Sequence, residues 1–203
     1  LFARQLTLSL ESAGIKVFPG INTGWHYNDK VGQKYLLEAI GAPLVKSYVF
    51  FSKDEALRWS HATTYPKVFK LRAGAGSSNV KLVKNKHVAQ LLIRKAFGSG
   101  FPQISSVGRL HERLWMLRRD KDLTSLKKLA TGIIRLLITK KVEKFSQREK
   151  GYIYFQDYLP HNNNDTRIVV IGDRSFGMIR HCRTNDFRAS GSGLIDFNHT
   201  LIN

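Results

Sequence analysis

The pattern of apolar and polar positions predicts helices alternating with short strands over the first hundred residues. Apolar residues at helical spacing predict four helices, with Asn28 or Asp29 as an N-cap and with Gly14 and Gly41 as closing residues. These helices are expected over 2–13, from Asn28 or Asp29 to Ile40, and over 53–61 and 87–97. Short apolar or alternating runs predict strands at 15–18, 48–51, 66–71 and 80–83.

The second half begins with a loop at 98–108 and a tract over 109–150 that is predicted to be strongly helical. An apolar stripe runs along part of this tract, which favours core packing or a helix-hairpin seam over a membrane or partner helix. Its members are Leu123, Leu126, Ala130, Ile133 and Leu137. A strand at 152–156 and a β-hairpin follow, the hairpin with strands at 167–171 and 175–182.

Composition is that of a folded protein with one or two compact units. The chain has 203 residues, of which 42% are hydrophobic and 11% aromatic. No apolar run approaches the roughly 20 residues of a membrane span. Cys182 is the single cysteine, which excludes an internal disulfide and fits a reducing compartment, so the cytoplasm is expected. Because the chain opens at Leu1, we expect a piece of a longer protein.

Charge narrows the kinds of ligand without choosing among them. The formal net charge of +18 attracts polyanions such as nucleotides, nucleic acids or anionic surfaces. The tract over 109–150 contributes strongly, with more than twice as many Lys and Arg as Asp and Glu. The seven histidines show no metal-ligand spacing.

A loop of small residues between two predicted strands is the first candidate for chemistry. Glycines allow a backbone to approach phosphate oxygens closely, and Lys70 on the preceding strand adds a positive charge. The loop contains Gly74, Gly76, Ser77 and Ser78. It is not a Walker loop, since no Gly-Lys-Ser/Thr follows to open a helix. By itself it equally fits a mobile hairpin with a surface lysine.

Four segments in order, spanning about residues 15 to 193, resemble the ATP-grasp superfamily and its glutathione-synthetase and RimK-type ligase branch. The first, 28–43, is similar to the family's Asp-Lys helix that ends at Gly-x-Pro, which implies Lys30 as a nucleotide-facing lysine. The second, 65–80, is similar to the family's Pro-x-Val-x-Lys strand and phosphate-covering loop. The resemblance implies that Lys70 contacts the α or β phosphate and that Gly74, Gly76, Ser77 and Ser78 cover the phosphates.

The other two segments complete the implied nucleotide site. Gln156-Asp157-Tyr158-Leu159-Pro160 resembles the hinge that pairs with the adenine edge, and Asp165 with Arg167 matches the Asp-x-Arg after it, where the acid reaches the ribose. The segment 180–193 looks like the family's basic strand and Asp-Phe-Arg sequence. Arg180 and Arg188 would there face the phosphates and the substrate carboxylate as catalytic residues.

The resemblance implies an α+β ATP-grasp fold, in which two α+β subdomains clamp ATP. It implies that residues 1–20 end a preceding domain, that 21–61 and 160–203 belong to the larger subdomain, and that 62–159 form the lid, with a basic helical insertion at about 102–150. The implied reaction is ATP-dependent activation of a small-molecule or peptide carboxylate as an acylphosphate, which an amine or similar nucleophile captures. Magnesium ligands are expected downstream of residue 203, and none is predicted in this chain.

Two other functions stay open at this point. One is a non-catalytic nucleic-acid or polyanion binder with 109–150 as its footprint, although only Trp115 and Phe145 are aromatic there. The other is a ligase relative whose insertion docks a carrier or protein substrate with acidic groups. The sequence leaves the acceptor, the donor and the oligomeric state undetermined.

Overall fold

The computed structural model describes residues 2–27, 29–73, 79–102, 113–115, 117–118, 129–133, 148–183 and 186–198. The chain divides into two compact units, Leu1–Asp157 and Tyr158–Asn203, here the first and second units. The helices are α1 (Phe2–Ser12), α2 (Ile21–Gly24), α3 (Lys30–Ala39), α4 (Lys53–Ala62) and α5 (Lys86–Phe97). The strands are β1 (Ser47–Phe50), β2 (Lys67–Lys70), β3 (Lys81–Val83), β4 (Phe101–Pro102), β5 (Arg148–Glu149), β6 (Ile153–Asp157), β7 (Asn164–Ile171), β8 (Arg174–His181) and β9 (Ile195–Asp196).

The first unit is built on an antiparallel sheet with the order β1-β6-β2-β3. Because side chains alternate along a strand, one face of this sheet is apolar and packs on α4 and α5. The cluster on that face contains Ala56, Phe69, Leu71, Val83, Ala89, Leu92, Ile93, Ala96, Phe101, Ile153 and Phe155. Trp59 of α4 stacks on Phe155 with ring centroids 4.9 Å apart. The mixture of helices and antiparallel sheets confirms the α+β expectation.

Side-chain caps begin three helices where the sequence predicts helix starts. Asp29 accepts a hydrogen bond from the amide of Gly32, Ser52 from the amide of Glu55, and Asn85 from the amide of Val88. Each cap satisfies one of the amides that a helix leaves unbonded in its first turn. The helices predicted to end at Ile40, at 61 and at 97 are confirmed to within a residue or two.

The prediction that the helical tract continues to Lys150 is wrong at its end. Arg148 and Glu149 form β5, which pairs with Phe101 and Pro102 of β4. Gly100 precedes this pair with φ of 69°, and a Cβ there would meet the carbonyl oxygen of Glu149 at 2.7 Å. Long-range pairing at a glycine therefore overrides local helix propensity. The described residues 113–115, 117–118 and 129–133 are helical, and the rest of the predicted insertion lies outside the described residues.

The strand predicted at 15–18 is also wrong. After α1 and the left-handed Gly14, these residues pair with no strand in the described parts of the chain, and Phe18 is 96% exposed. Apolar alternation favours a strand only where an open sheet edge is available.

The second unit is an antiparallel sheet with the order β7-β8-β9. Ile171 pairs with Arg174, so the hairpin turn consists of Gly172 and Asp173, with Gly172 at φ of 62°. This confirms the predicted glycine-containing hairpin. The proposed assignment of 21–61, 62–159 and 160–203 to two ATP-grasp subdomains stays a prediction.

Candidate functional site

The face of the first unit's sheet opposite the apolar core carries polar side chains. Tyr154 and Gln156 alternate with the core residue Phe155, and in the antiparallel register Tyr154 faces Lys70 while Gln156 faces Ser47. All four polar residues are half-buried or buried. Polar side chains held together on a partly buried sheet face form hydrogen bonds with one another or with a ligand. This cluster, the polar face, is the centre of the candidate site.

The carboxamide of Gln156 has a fixed orientation. Its Oε1 accepts a 2.5 Å hydrogen bond from Lys70 Nζ, and its Nε2 donates to Ser47 Oγ at 3.0 Å. Ser47 Oγ also accepts from the hydroxyl of Tyr154 at 3.0 Å and donates to the carbonyl of Val45 at 2.7 Å. Because lysine can only donate, the Gln156 oxygen must point toward Lys70.

Lys30 reaches the same region from the first turn of α3. Its backbone amide donates to the carbonyl of Arg72, two residues after Lys70, at 3.0 Å. The preceding residue, Asp29, is 4% exposed and joins the two segments. Its Oδ1 caps Gly32 at 2.9 Å, and its Oδ2 accepts from the Arg72 guanidinium at 2.5 Å.

The pKa of Asp29 is lowered, so the contacts between the start of α3 and the end of β2 stabilise its ionised carboxylate. Burial raises its pKa, but the hydrogen bonds from Arg72 and Gly32 and the charges of Arg72 and Arg4 lower it further. An ionised Asp29 therefore ties the start of α3 to the end of β2. Lys30 follows directly and is positioned by that tie.

Lys30 and Lys70 share one electrostatic environment. Burial and then the positive charge of Lys30 lower the pKa of Lys70 to about 8. Burial also lowers the pKa of Lys30, although the negative charges of Glu149 and Asp29 oppose this shift. A buried ammonium group that is destabilised by a neighbouring ammonium favours the binding of an anion beside it.

A second set of contacts, around Tyr152, lies close to Lys30 and Lys70. These contacts were not predicted from the sequence. The hydroxyl of Tyr152 accepts from the backbone amide of Arg72 at 2.6 Å and donates to Glu149 Oε2 at 2.5 Å. Burial and the bond to Glu149 raise the pKa of Tyr152. Glu149 in turn acts on the charge of Lys30. Arg72 lies eighty residues from Tyr152 in the chain, so no local pattern indicates that they meet.

Asp157, predicted in the hinge, has its side chain on the other side of β6 from Gln156. Its Oδ1 lies 2.5 Å from the Nζ of the buried Lys67, which also lies 5.2 Å from the centre of the Tyr48 ring. The backbone amide of Asp157 donates to the carbonyl of Lys46 at 2.9 Å. The Asp157 carboxylate therefore fixes the strand end, whereas Gln156 belongs to the polar face.

The remaining predicted residues described by the structure lie in the second unit. Asp165 and Arg180 are paired across β7 and β8, with two hydrogen bonds at 2.6 and 2.7 Å. Arg167 is exposed and lies opposite Met178. Tyr158 makes an edge contact with Phe187 at 6.0 Å between ring centroids. Leu159 is 50% exposed.

Arg188 is held by a carboxylate close to it in sequence. Its Nε donates to Asp186 Oδ2 at 2.9 Å, and a terminal guanidinium nitrogen donates to the same oxygen at 2.5 Å. Burial raises the pKa of Asp186, but the contacts with Arg188 lower it further, so that the net pKa is low. The structure thus places Asp186 as the partner of Arg188.

Three further observations concern the small-residue loop, metal ligands and membrane-spanning helices. The loop with Gly74, Gly76, Ser77 and Ser78 lies outside the described residues. Among the residues that the structure describes, no group of three or more His, Cys, Asp or Glu could hold a metal ion. Over the same residues, no helix combines the length and the apolar character needed to cross a membrane.

Comparisons with known proteins find similarity among solved structures. No protein-family model matches the chain. No curated protein matches it either. Among solved structures, a RimK domain ATP-grasp protein from Sphaerobacter thermophilus matches over 88% of this chain with 17% identity and a TM-score of 0.49. The chain covers 49% of that protein's chain, about half its length. A likeness at this level assigns neither a fold nor an activity.

Proposed function

We propose that the first unit binds ATP, with Lys30 and Lys70 on its phosphate groups. The observation that carries this proposal is the partly buried position of Lys70 near Lys30, where burial and then the charge of Lys30 lower the pKa of Lys70 to about 8. An anion placed there relieves the repulsion between two partly buried ammonium groups. A triphosphate fits the requirement because it presents several negatively charged oxygens to cations on separate elements.

The adenine end of the nucleotide is proposed to lie at the end of β6. Gln156 Oε1 is oriented by Lys70 and Ser47, so it presents an acceptor to the exocyclic amine of adenine. The backbone of Asp157, Tyr158 and Leu159 supplies the remaining polar groups for the base, and the Lys67–Asp157 pair holds that backbone in place. The small-residue loop of Gly74, Gly76, Ser77 and Ser78 is proposed to cover the phosphates.

For the whole protein we propose an ATP-grasp ligase that acts in the cytoplasm. A substrate carboxylate oxygen forms a bond to the γ-phosphorus while the bond from that phosphorus to the bridging oxygen breaks and ADP leaves. An amine nitrogen then bonds to the acyl carbon, inorganic phosphate leaves, and the nitrogen loses a proton. Lys30 and Lys70 neutralise phosphate charge, so their contribution is positioning and electrostatic stabilisation.

Arg180 and Arg188 are proposed to orient the acceptor carboxylate or the transferring phosphoryl group. Both guanidinium groups are already held by carboxylates, Arg180 by Asp165 and Arg188 by Asp186. Such pairing fixes the direction of a guanidinium. The proposed role of Asp165 at the ribose competes with its bond to Arg180. Arg167 is proposed beside the nucleotide, and magnesium ligands are proposed downstream of residue 203.

The acylphosphate is the feature of the reaction to test. The protein is incubated with ATP, magnesium and pools of carboxylates, and hydroxylamine is added to trap an acylphosphate as a hydroxamate. Hydroxamate and ADP formed in equal amounts, and only with a carboxylate present, support the ligase proposal. If the full-length protein binds ATP but forms no hydroxamate, the first unit would still be a nucleotide-binding unit, but the proposed ligase reaction would be contradicted.

A further inference from the structure

A second group of cations in the first unit lies around the C-terminus of α5 and on the apolar side of β3. It consists of Lys81 at the start of β3, Lys95 in the last turn of α5, and Arg148 of β5. We call these three residues the basic cluster. They come from three separate elements, so the fold and not the local sequence brings them together.

Buried aromatic rings lie beneath the basic cluster. Phe101 packs on Phe69 with ring centroids 4.9 Å apart, and the Nζ of Lys95 lies 5.1 Å from the centre of the Phe101 ring. Lys81 is the register partner of Phe69, which puts its stem on the same face. The base of the cluster is therefore rigid, and its ammonium groups project from a packed core.

Arg148 is fixed just beyond the C-terminus of α5, the helix that carries Lys95. Its Nε donates to the carbonyl of Ser99 at 2.5 Å, and a terminal nitrogen donates to the carbonyl of Gly100 at 2.9 Å. These bonds use neutral acceptors, so the charge of the guanidinium is not neutralised. Glu149 is the register partner of Phe101, and it accepts a hydrogen bond from the hydroxyl of Tyr152.

Lys95 is affected by the positive charges of the other two residues of the basic cluster. Partial burial and then the charges of Lys81 and Arg148 lower the pKa of Lys95. None of the three forms an ion pair with an acidic residue in the parts of the chain that the structure describes. Like charges held close together in this way favour binding of an anion with several charges.

We infer that the basic cluster binds the phosphate backbone of double-stranded nucleic acid. The choice of a duplex follows from Phe101, which is buried and has the Lys95 ammonium over its ring, and so offers no face to an unpaired base. Sites for single strands combine cations with exposed aromatic rings on which bases stack, whereas a duplex backbone can be bound by cations without such rings. Binding at this surface is independent of base sequence and of the proposed nucleotide site.

The test uses fluorescence anisotropy of a labelled mixed-sequence duplex RNA and DNA, titrated with the 203-residue protein at several salt concentrations. The main variant is Lys81→Gln with Lys95→Gln, which leaves the Arg148 bonds intact. We expect duplex affinity near physiological salt to fall about tenfold, and the slope of log K against log salt to decrease by about 2, since each lost phosphate contact removes about 0.9. Thermal melting of each variant verifies that it is folded.

Two control variants separate this proposal from simple charge attraction and from ATP binding. Lys16→Gln with Lys53→Gln removes the same charge from exposed positions outside the cluster, and Lys30→Gln with Lys70→Gln removes the proposed phosphate contacts. The duplex affinity of both control variants is expected to lie within about twofold of that of the unaltered protein. Equal weakening by the Lys16 and Lys53 control, no weakening by the cluster variant, or tighter binding of an unpaired strand would each overturn the inference.

Discussion

Lys70 Nζ donates a 2.5 Å hydrogen bond to Gln156 Oε1 across the ladder that joins β2 to β6. The partner is a neutral amide, so this bond orients the ammonium group without neutralising its charge. The nearby positive charge of Lys30 adds to the cost of burial. Lys70 is therefore held in place while its charge is unfavourable, as expected of a residue that serves ligand binding more than stability.

Lys70→Met is expected to stabilise the protein and to weaken ATP binding. The fall in pKa from 10.5 to about 8 means that a charged Lys70 destabilises the folded state, and methionine removes that cost while keeping the stem. After the loss of the bond to Gln156, the expected net gain is about 1 kcal/mol at pH 7. Urea unfolding measures the gain. A variant that unfolds more easily than the unaltered protein would show that Lys70 has a structural role.

ATP affinity is expected to fall as the pH rises above about 8. Below its pKa of about 8, Lys70 is charged in the free protein; above it, binding must first add a proton. The dissociation constant should therefore rise by up to about tenfold per pH unit above 8. Calorimetric titrations from pH 7 to 9.5 test this. Lys70→Arg is the control, because a guanidinium does not titrate in this range, and an unchanged pH dependence in that variant would count against the assignment.

Stability in acid is expected to depend on Asp29. The pKa of this carboxyl is lower in the folded protein than its ordinary value of 3.8, so its contribution is full above pH 4 and is lost as the pH falls through the folded pKa. Asp29→Ala should cost about 2 kcal/mol at pH 7, since it removes a helix cap and the pairing with Arg72. Urea midpoints at pH 7 and pH 3 measure this.

Asp54→Ala is the matched control for Asp29, since it lies in the first turn of α4 and is exposed. It should cost only a few tenths of a kcal/mol. If both variants lose the same stability, or if the Asp29 variant keeps the full acid sensitivity, the tie between α3 and β2 does not hold the carboxylate as described.

The Lys67–Asp157 and Asp165–Arg180 pairs are expected to differ in energy because Lys67 is 5% exposed. Lys67→Ala should cost about 2 to 3 kcal/mol, since it leaves Asp157 without its partner, whereas Lys67→Met with Asp157→Leu should be closer to neutral. A double-mutant cycle on Asp165 and Arg180 should give about 0.5 to 1 kcal/mol. Similar values for both pairs would contradict the burial argument.

Local sequence patterns predicted most helices and strands of the first unit, because caps and closing glycines lie within a few residues of the elements they delimit. Asp29, Ser52 and Asn85 each begin a helix where one was expected. Pairing between distant segments was not predictable in the same way. Strand β5 depends on β4, and the order β1-β6-β2-β3 depends on contacts across about a hundred residues.

In the candidate site, too, local motifs were predictable and contacts between distant segments were not. Lys30, Lys70 and Gln156 were singled out from short motifs, and the structure places Lys70 against Gln156. The contact of Arg72 with Tyr152, which brings Glu149 to this region, could not be predicted because those two residues are eighty positions apart. The roles of these residues in binding stay predictions until a ligand is measured.

The most direct test of the central claim is calorimetric titration of ATP into the 203-residue protein at pH 7, with and without magnesium. The account predicts saturable binding of one ATP that Lys30→Gln with Lys70→Gln weakens by at least about tenfold, the value of one lost charged hydrogen bond. Lys16→Gln with Lys53→Gln should leave the affinity unchanged. No saturable binding by the folded protein, or equal weakening by both variants, would contradict the account.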